Sequence, residues 1–183
     1  MTQTLRALAF AGTLLTLGAA QAAEFSLKSA DAGADGSLAG TLYSNAFGCT
    51  GGNLSPEISW ENAPAGAKSF VVTMYDPDAP TGSGWWHWVA VNIPASVSGL
   101  PRGSGSESGK MPAGAMMTNN DAGQPAYLGA CPPEGQTHRY VITVKALKVE
   151  KLDLPANASG AMVGLMSNMN SLGEATLTLK AGR

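Results

Sequence analysis

The segment that most constrains the fold of this chain is residues 139–149, where apolar and polar side chains alternate. Tyr140, Ile142 and Val144 would share one face of an extended strand, and Thr143 would lie on the other face. Side chains two positions apart point to the same side of a strand, and this alternation is typical of a strand with one buried face. The chain is therefore predicted to contain a β-sheet, with this strand inside it.

Other segments carry the same signal in weaker form. Branched and aromatic residues cluster between turn residues in four further segments, and each predicts a strand: residues 24–28, 69–75, 88–93 and 175–179. Three long segments rich in loop-forming residues lie between them: residues 45–56, 76–86 and 98–136. Loops of such length in a compact domain are commonly functional or locally structured. We therefore expect a β-rich domain whose long loops carry function.

One stretch, residues 159–172, has helical periodicity. Its apolar side chains recur at positions i, i+3, i+4 and i+7, which places them on one helix face: Met162, Leu165, Met166 and Met169. Ser159 can cap the start of this helix and Gly173 can end it. We interpret the methionine stripe as core that packs against the sheet. An exposed, adaptable binding surface is the alternative.

Residues 1–22 have the pattern of a cleavable signal peptide. Arg6 gives the start a positive charge, residues 7–20 form an uncharged and largely apolar run, and Ala20-Gln21-Ala22 matches the pattern that signal peptidase cleaves. The apolar run is too short to span a bilayer comfortably. A membrane anchor or a buried core helix is the alternative. We expect cleavage after Ala22 and a periplasmic or secreted protein.

The remaining part, residues 23–183, has the length of one domain with a single hydrophobic core. It holds ten of the 11 basic side chains and all 13 acidic ones, so its formal net charge is −3. No segment is basic enough to bind nucleic acid. No second apolar stretch approaches the length of a membrane span. We therefore expect one soluble domain with neither a nucleic-acid partner nor a transmembrane segment after signal cleavage.

Two cysteines, Cys49 and Cys131, lie far apart in Gly- or Pro-rich segments that are typical of loops. In an exported chain we expect them to form a disulfide. Closing so long a loop would stabilise the fold by about 4–5 kcal/mol in the chain-entropy model. Two free thiols are one alternative. A zinc site made of both cysteines and both histidines is another, although the spacing matches no short zinc module.

The chain has two histidines, His87 and His138, and both have unusual neighbours. His87 lies within residues 85–88, where three tryptophans can form the apolar wall of a small-molecule pocket. His138 lies directly before the strand segment 139–149. A buried histidine that only satisfies local hydrogen bonds is the alternative for each. The two placements together favour a binding site.

An acidic turn, residues 76–80 with the sequence Asp-Pro-Asp-Ala-Pro, follows the predicted strand 69–75. Its prolines fix the backbone φ angle and remove two backbone donors, so Asp76 and Asp78 are held on a stiff loop. Polar loops at strand ends are common locations for binding sites. A turn whose aspartates only cap local N–H groups is the alternative interpretation.

Three motifs together resemble the signature of the phosphatidylethanolamine-binding protein family. They are the acidic turn 76–80, the sequence Trp-His-Trp-Val-Ala-Val-Asn at residues 86–92, and residues 132–140, which run from a double proline to His-Arg-Tyr. Within the family, the chain resembles the exported form of the bacterial Raf kinase inhibitor-like branch. Residues 53–56 and residues 159–164 match that branch as well. The resemblance thus covers nearly all of the chain after the signal peptide.

The resemblance implies a mainly β fold with a large central antiparallel sheet, a smaller sheet and one or two short helices. It also implies a small pocket for an anionic or phosphorylated ligand. By motif, the residues that line this pocket would be Asp76, Asp78, His87, His138 and Tyr140, with Trp86 and the loop at Pro132 and Pro133 as its rim. Arg139 follows the motif but is expected to point away, because neighbouring strand residues face opposite sides.

One departure from the family pattern concerns Cys131, which stands where many relatives have Gly before the double proline. If Cys131 bonds to Cys49, the disulfide pins the pocket loop to the loop 48–52. The ligand preference of the pocket would then differ from that of the relatives.

We expect a binding protein rather than an enzyme. Histidine N–H groups and loop amides would hold the anion, and the aspartates would orient the imidazoles or pair with a cationic part of the ligand, such as an ammonium group. The sequence has no G-x-S-x-G and no H-E-x-x-H motif, so no catalytic residue, cofactor or metal is predicted. A hydrolase with a non-motif active site and a pocket-independent protein-interaction module are the alternatives. The resemblance also suggests a homodimer and a protein partner that the chain regulates or inhibits.

Overall fold

The computed structural model describes residues 23–183, and the predicted signal peptide, residues 1–22, lies outside the described residues. The strands are β1 (Ser26–Lys28), β2 (Ile58–Glu61), β3 (Ser69–Asp76), β4 (Trp85–Pro94), β5 (Gly99–Leu100), β6 (Met116–Met117), β7 (Thr137–Leu147) and β8 (Ser171–Gly182). The helices are a 3₁₀-helix at Gly40–Leu42 and α1 at Gly160–Asn170.

The strands form two antiparallel sheets, which confirms the predicted fold class. A five-stranded sheet has the order β6-β4-β3-β7-β8, and a three-stranded sheet has the order β1-β2-β5. β7 pairs with β3 on one side and with β8 on the other, so it lies inside the large sheet as predicted. The five predicted strands correspond to β1, β3, β4, β7 and β8. The other three strands have only two to four residues, which is too short for a periodic pattern to show.

The large sheet is covered on both faces. We call the face that carries Val72 and Ile142 the front face, and its core includes Trp60 from the small sheet. The face that carries Val71 is the back face, and it packs against Val163 of α1. Because β4 is buried on both sides, it is a nearly continuous apolar run and does not alternate.

Helix α1 begins after Ser159, whose side-chain oxygen accepts a hydrogen bond from the backbone N–H of Met162 at 3.2 Å, which confirms the predicted cap. The prediction that the methionine stripe is core is wrong, because three of its four members are largely exposed: Met162 (47%), Leu165 (62%) and Met169 (66%). The helix instead approaches the sheet through small residues, and a Cβ atom on Gly160 would lie 2.4 Å from Cγ of Trp86. Within residues 23–183, no helix has both the length and the apolar character needed to cross a membrane.

Cys49 and Cys131 form a disulfide, with their Cα atoms 5.9 Å apart, which confirms the predicted pairing. The guanidinium of Arg183 lies beside it, with Nη1 3.6 Å from Sγ of Cys49 and 3.5 Å from Sγ of Cys131. The bond removes the two thiolates that the alternative zinc site would need. In the described part of the chain, no group of three or more His, Cys, Asp or Glu residues is arranged to hold a metal ion.

Candidate functional site

At one end of the large sheet, three neighbouring inner strands carry polar side chains on the front face. Asp76 ends β3, His87 lies near the start of β4, and His138 and Tyr140 lie near the start of β7. β3 runs antiparallel to both neighbours, so its end lies beside their beginnings. Four residues that are distant in the chain therefore meet beside the front core.

His87 reaches the front face through an irregularity in β4. Met74 pairs with Trp88, whereas the next residue of β3, Tyr75, pairs with Trp86. His87 is thus the extra residue of a β-bulge, a feature that re-aims side chains beside functional sites. As a result, the side chains of His87 and Trp88 both lie on the front face, although the two residues are adjacent in sequence.

The four polar residues line a cavity of about 250 Å³. We call Asp76, His87, His138 and Tyr140 the polar floor, and each of them is at least 94% buried. The other lining residues form what we call the rim, in which apolar groups predominate: Phe47, Ala79, Pro80, Thr81, Trp85, Leu128, Gly129, Cys131 and Pro133. Among the described residues, no Lys or Arg lines this cavity. The site is therefore a small pocket with a polar floor and a mainly apolar rim.

His138 is fixed on both sides of its ring. Its Nδ1 lies 2.8 Å from Oδ2 of Asp76, and its Nε2 lies 2.9 Å from Oε1 of Gln136. The carboxylate accepts the Nδ1–H, which sets the orientation of the imidazole. The other oxygen of Asp76, Oδ1, accepts the backbone N–H of Asp78 at 2.8 Å. Asp76 thus acts as the acceptor that positions His138.

His87 is held by a backbone carbonyl of the loop that precedes Cys131. Its Nδ1 donates to the backbone carbonyl of Leu128 at 2.8 Å, and its ring meets that of Tyr140 edge to face, with centroids 5.1 Å apart. Burial lowers the pKa of His87 below its ordinary value, because a buried imidazolium loses its hydration. The ring is therefore neutral near pH 7. Since Nδ1 carries the proton, Nε2 is an acceptor.

Tyr140 completes the floor as a neutral phenol. Burial raises the pKa of its hydroxyl, and the negative charge of Asp76 adds to this effect. The hydroxyl therefore keeps its proton throughout the physiological range. It is a donor that needs no change of protonation state.

Asp78, which the family motif assigns to the pocket, lies outside the lining. Its carboxylate binds the guanidinium of Arg139 at 2.7 and 2.9 Å and also accepts the backbone N–H of Arg139 at 2.8 Å. These hydrogen bonds lower the pKa of Asp78 to about 2. Arg139 points away from the pocket, as predicted, and the carboxylate of Asp78 is bonded to it outside the pocket.

Trp86 and Pro132 also lie outside the lining, and a neighbour of each takes the expected place. Trp86 packs on the back face, where its ring lies 4.6 Å from that of Tyr75 between centroids. Trp85, one residue earlier, lines the rim instead. Pro132 is buried, whereas Pro133 is exposed and lines the rim.

Several residues near the floor and rim were missed by sequence reasoning, among them Leu128 and Gly129. Gln136 and Phe47 are two more, and each has a partial sequence signal. Gln136 contacts His138, and it lies within the third motif, at a position that the motif leaves free. Phe47 lines the rim, and the only sequence signal for it is its place two residues before Cys49. The predicted disulfide to Cys131 brings the Phe47 loop to the pocket, so the cysteine pair was the clue.

Comparison with known proteins gives a consistent result. The family model of phosphatidylethanolamine-binding protein matches residues 29–181. Among curated proteins, the chain is 54% identical over 134 residues to the UPF0098 protein YbhB of Escherichia coli K12, covering 73% of this chain and 85% of YbhB. It is 49% identical over 161 residues to the UPF0098 protein YbcL of the same organism, covering 87% of this chain and 88% of YbcL.

Solved structures agree with these sequence matches. The crystal structure of E. coli YbcL, described as a new member of the mammalian PEBP family, superposes with a TM-score of 0.84 and 47% identity, covering 88% of this chain and 99% of YbcL. The homologue CT736 of Chlamydia trachomatis superposes with a TM-score of 0.72 and 28% identity, covering 87% of this chain and 97% of CT736.

Proposed function

This chain belongs to the phosphatidylethanolamine-binding protein family, and from that premise we propose that its pocket binds a small oxyanion, such as the phosphoryl group of a phosphorylated molecule. The observation that carries the proposal is the convergence of His87, His138 and Tyr140 on one small cavity, with Asp76 behind His138. Imidazole and phenol groups are donors suited to oxyanions. In the free protein Nε2 of His138 is paired with Oε1 of Gln136, and the oxyanion would take the place of that amide. A site closed off from water strengthens such hydrogen bonds.

The role of Asp76 follows from its contacts. A carboxylate repels a bare anion, but each oxygen of Asp76 already accepts a hydrogen bond, one from His138 and one from the backbone of Asp78. Asp76 therefore positions an imidazole and does not itself contact the anion.

Binding is expected to take up a proton at His87. Its Nδ1–H is committed to Leu128, so it can donate to an anion only through Nε2, which must first be protonated. In the free protein, burial lowers the pKa of this ring. A bound anion stabilises the imidazolium and raises that pKa. Affinity should therefore increase as the pH falls below neutral.

We further propose recognition without turnover. The rim contains two side chains of nucleophilic type, Thr81 and Cys131. The hydroxyl of Thr81 donates to the backbone carbonyl of Gly84, and Cys131 is bonded to Cys49. A nucleophile needs a base beside it, and neither group is hydrogen-bonded to a histidine within residues 23–183. These contacts favour a binding site over the hydrolase alternative.

Export is part of the same proposal. The disulfide between Cys49 and Cys131 supports it, because such bonds persist in oxidising compartments and are rare in the cytosol. Cell fractionation followed by N-terminal sequencing is expected to find a mature protein that starts at Ala23 in the periplasm or the medium. A cytoplasmic protein with an intact leader would contradict export.

A protein partner and a homodimer remain proposals as well. Native mass spectrometry of protein taken from its own compartment would report the oligomeric state, a bound partner and a retained small ligand in one measurement. We expect a dimer and a retained phosphorylated compound. A ligand-free monomer would remove the support for both.

The oxyanion proposal is tested by calorimetric titration with sulfate, because sulfate keeps its charge between pH 8 and pH 5.5 and any pH dependence then belongs to the protein. Affinity is expected to rise as the pH falls, by at most about tenfold per pH unit, which corresponds to uptake of one proton. His87→Gln should bind weakly, with no pH dependence.

Arg139→Gln is the matched control, since it removes a cation that lies outside the pocket. This variant should keep the wild-type affinity and its pH dependence. A sulfate affinity that does not change across the pH range would refute the proposed site. So would an affinity that is lowered by Arg139→Gln and not by His87→Gln.

A further inference from the structure

The rim of the pocket includes one side chain whose position is not favourable for folding. Phe47 lines the cavity, yet 69% of it is exposed to solvent. Large apolar side chains are stabilised by burial. The backbone φ angle of Phe47 is 55°, in the left-handed region, which is unfavourable for a residue with a Cβ atom. Strained backbone of this kind is commonly found at ligand-binding positions.

Several contacts hold Phe47 in this position. Two residues later, the disulfide from Cys49 ties its loop to Cys131, which also lines the pocket. The backbone carbonyl of Phe47 accepts a hydrogen bond from Nη1 of Arg183 at 3.4 Å. The backbone N–H of Cys49 donates to the carbonyl of Ala46 at 3.0 Å. The loop is therefore fixed on both sides of the exposed ring.

The pocket has two chemically different parts. The polar floor offers hydrogen bonds and is more than nine-tenths buried. Above it, the rim presents apolar surface from Phe47, Trp85, Leu128 and Pro133. A free inorganic anion would occupy only the floor and would leave the apolar rim in contact with water, which is unfavourable. A ligand with a charged head and a carbon group would cover both parts.

We propose that Phe47 is a specificity-determining residue, which makes the pocket select an oxyanion carried on an apolar organic group over the free inorganic oxyanion. The inference rests on the proposed function and names the ligand class of the same pocket. The organic group packs against the Phe47 ring, while the oxyanion reaches His87 and His138. The disulfide keeps the ring over the pocket, so the selection depends on the bond between Cys49 and Cys131.

The test compares two probes, phenyl phosphate and inorganic phosphate, by calorimetric titration of the full domain at pH 5, where both probes carry mainly one negative charge. The wild type is expected to bind phenyl phosphate about tenfold more tightly, since an aromatic group gains both burial and ring contacts. Phe47→Ala should reduce the ratio of the two affinities about five- to tenfold. Phe47→Leu, which keeps an apolar side chain, should lose only part of the ratio.

The matched control is Leu165→Ala, because Leu165 is 62% exposed and lies on α1, away from the pocket. This variant should keep both affinities. Reduction of the disulfide with a phosphine, with the fold checked by circular dichroism, should lower the ratio in the same direction as Phe47→Ala.

The outcomes separate the two proposals. If neither probe binds the wild type, the proposed function and this inference both fail. If inorganic phosphate binds but phenyl phosphate binds no more tightly, the inference fails and the proposed function stands. The same holds if Phe47→Ala leaves the ratio of the two affinities unchanged.

Discussion

The front and back faces of the large sheet differ at the end where β3 stops and β4 and β7 begin. On the front face, Asp76 and His138 form a buried pair at 2.8 Å. On the other side of the sheet, Asp78 binds Arg139 in a bidentate pair that is more exposed. Asp78 follows Asp76 after one proline, and Arg139 directly follows His138. Trp85 lines the pocket, whereas Trp86 packs under α1.

This comparison shows that a contiguous motif can have two physical roles. Neighbouring strand residues point to opposite faces, so Trp85 and Trp86, or His138 and Arg139, cannot all enter one pocket. One half of each motif builds the pocket, and the other half stabilises the sheet around it. Substitutions on the two halves should therefore have different effects, and four experiments follow from that difference.

The largest difference in stability is expected between Asp76→Ala and Asp78→Ala. Asp76 is 2% exposed and accepts two hydrogen bonds, so its loss leaves one buried donor, on His138, and one partly buried donor, on Asp78, without partners, and should cost about 1–3 kcal/mol of the free energy of unfolding for each of them. The Asp78 partner, Arg139, is exposed, so Asp78→Ala should cost far less, and less still in high salt. Urea unfolding measures both, and equal losses would show that the floor is not a buried network.

The tryptophan pair should give the next effect. Trp86→Ala removes the ring that packs between Tyr75 and α1, so it should lower the free energy of unfolding by about 2–4 kcal/mol. Trp85→Ala should leave the fold nearly unchanged and weaken binding of phenyl phosphate. Thermal unfolding and titration of both variants would decide this. A binding defect confined to Trp86→Ala would reverse the assignment of the two rings.

Substitution of two glycines of α1 should have a smaller effect on stability, and it tests how closely the helix packs on the back face. A Cβ atom on Gly160 would lie 2.4 Å from Trp86, so Gly160→Ala must push the helix from the sheet and should cost about 1–3 kcal/mol. A Cβ atom on Gly164 meets nothing within 4 Å, so Gly164→Ala should instead stabilise the protein by about 0.5–1 kcal/mol, through helix propensity. Urea unfolding is the measurement. If both substitutions change the free energy of unfolding in the same direction, the result would contradict the close packing of α1 on the sheet.

The smallest effect is the pH dependence of stability from the front face. Burial lowers the pKa of His87 below 6.5, so the unfolded chain takes up a proton there at a higher pH than the folded chain does. The contribution of His87 to stability is therefore fully present above pH 6.5 and is lost as the pH falls below it, by at most about 1.4 kcal/mol per pH unit. His87→Gln should flatten the profile between pH 7.5 and pH 5.5, and a superimposable profile would be evidence against a neutral, buried ring.

The same end of the sheet shows how far the sequence could predict the structure. The alternation of Tyr140 and Ile142 predicted β7, and the cysteine pair predicted the disulfide, because both signals are local or chemical. The position of Trp86 was not predictable, since the β-bulge at His87 depends on the pairing of β4 with β3. The exposed face of α1 was missed for a similar reason, because the contact of Gly160 with Trp86 exists only after the helix docks.

The residues of the pocket were also predictable only in part. His87, His138, Asp76 and Tyr140 were predicted from motifs that no periodic pattern could connect, and the structure brings them together. The cysteine pair indicated that the loop before Cys49 reaches the pocket, but it did not indicate that Phe47 is the side chain of that loop that lines the rim, because the path of the loop has no sequence signature. Motifs predicted which side chains meet, and tertiary structure decided which of their neighbours complete the cavity.

The central claim, that the two imidazoles form one oxyanion site, is tested most directly by nitrogen-15 NMR of the histidine side chains during a sulfate titration at pH 6. We expect the ring signals of His87 and His138 both to shift and to saturate with one dissociation constant, and Nε2 of His87 to change from acceptor to protonated donor. If sulfate saturates the protein while His87 stays neutral and unshifted, the anion binds elsewhere and the claim is wrong.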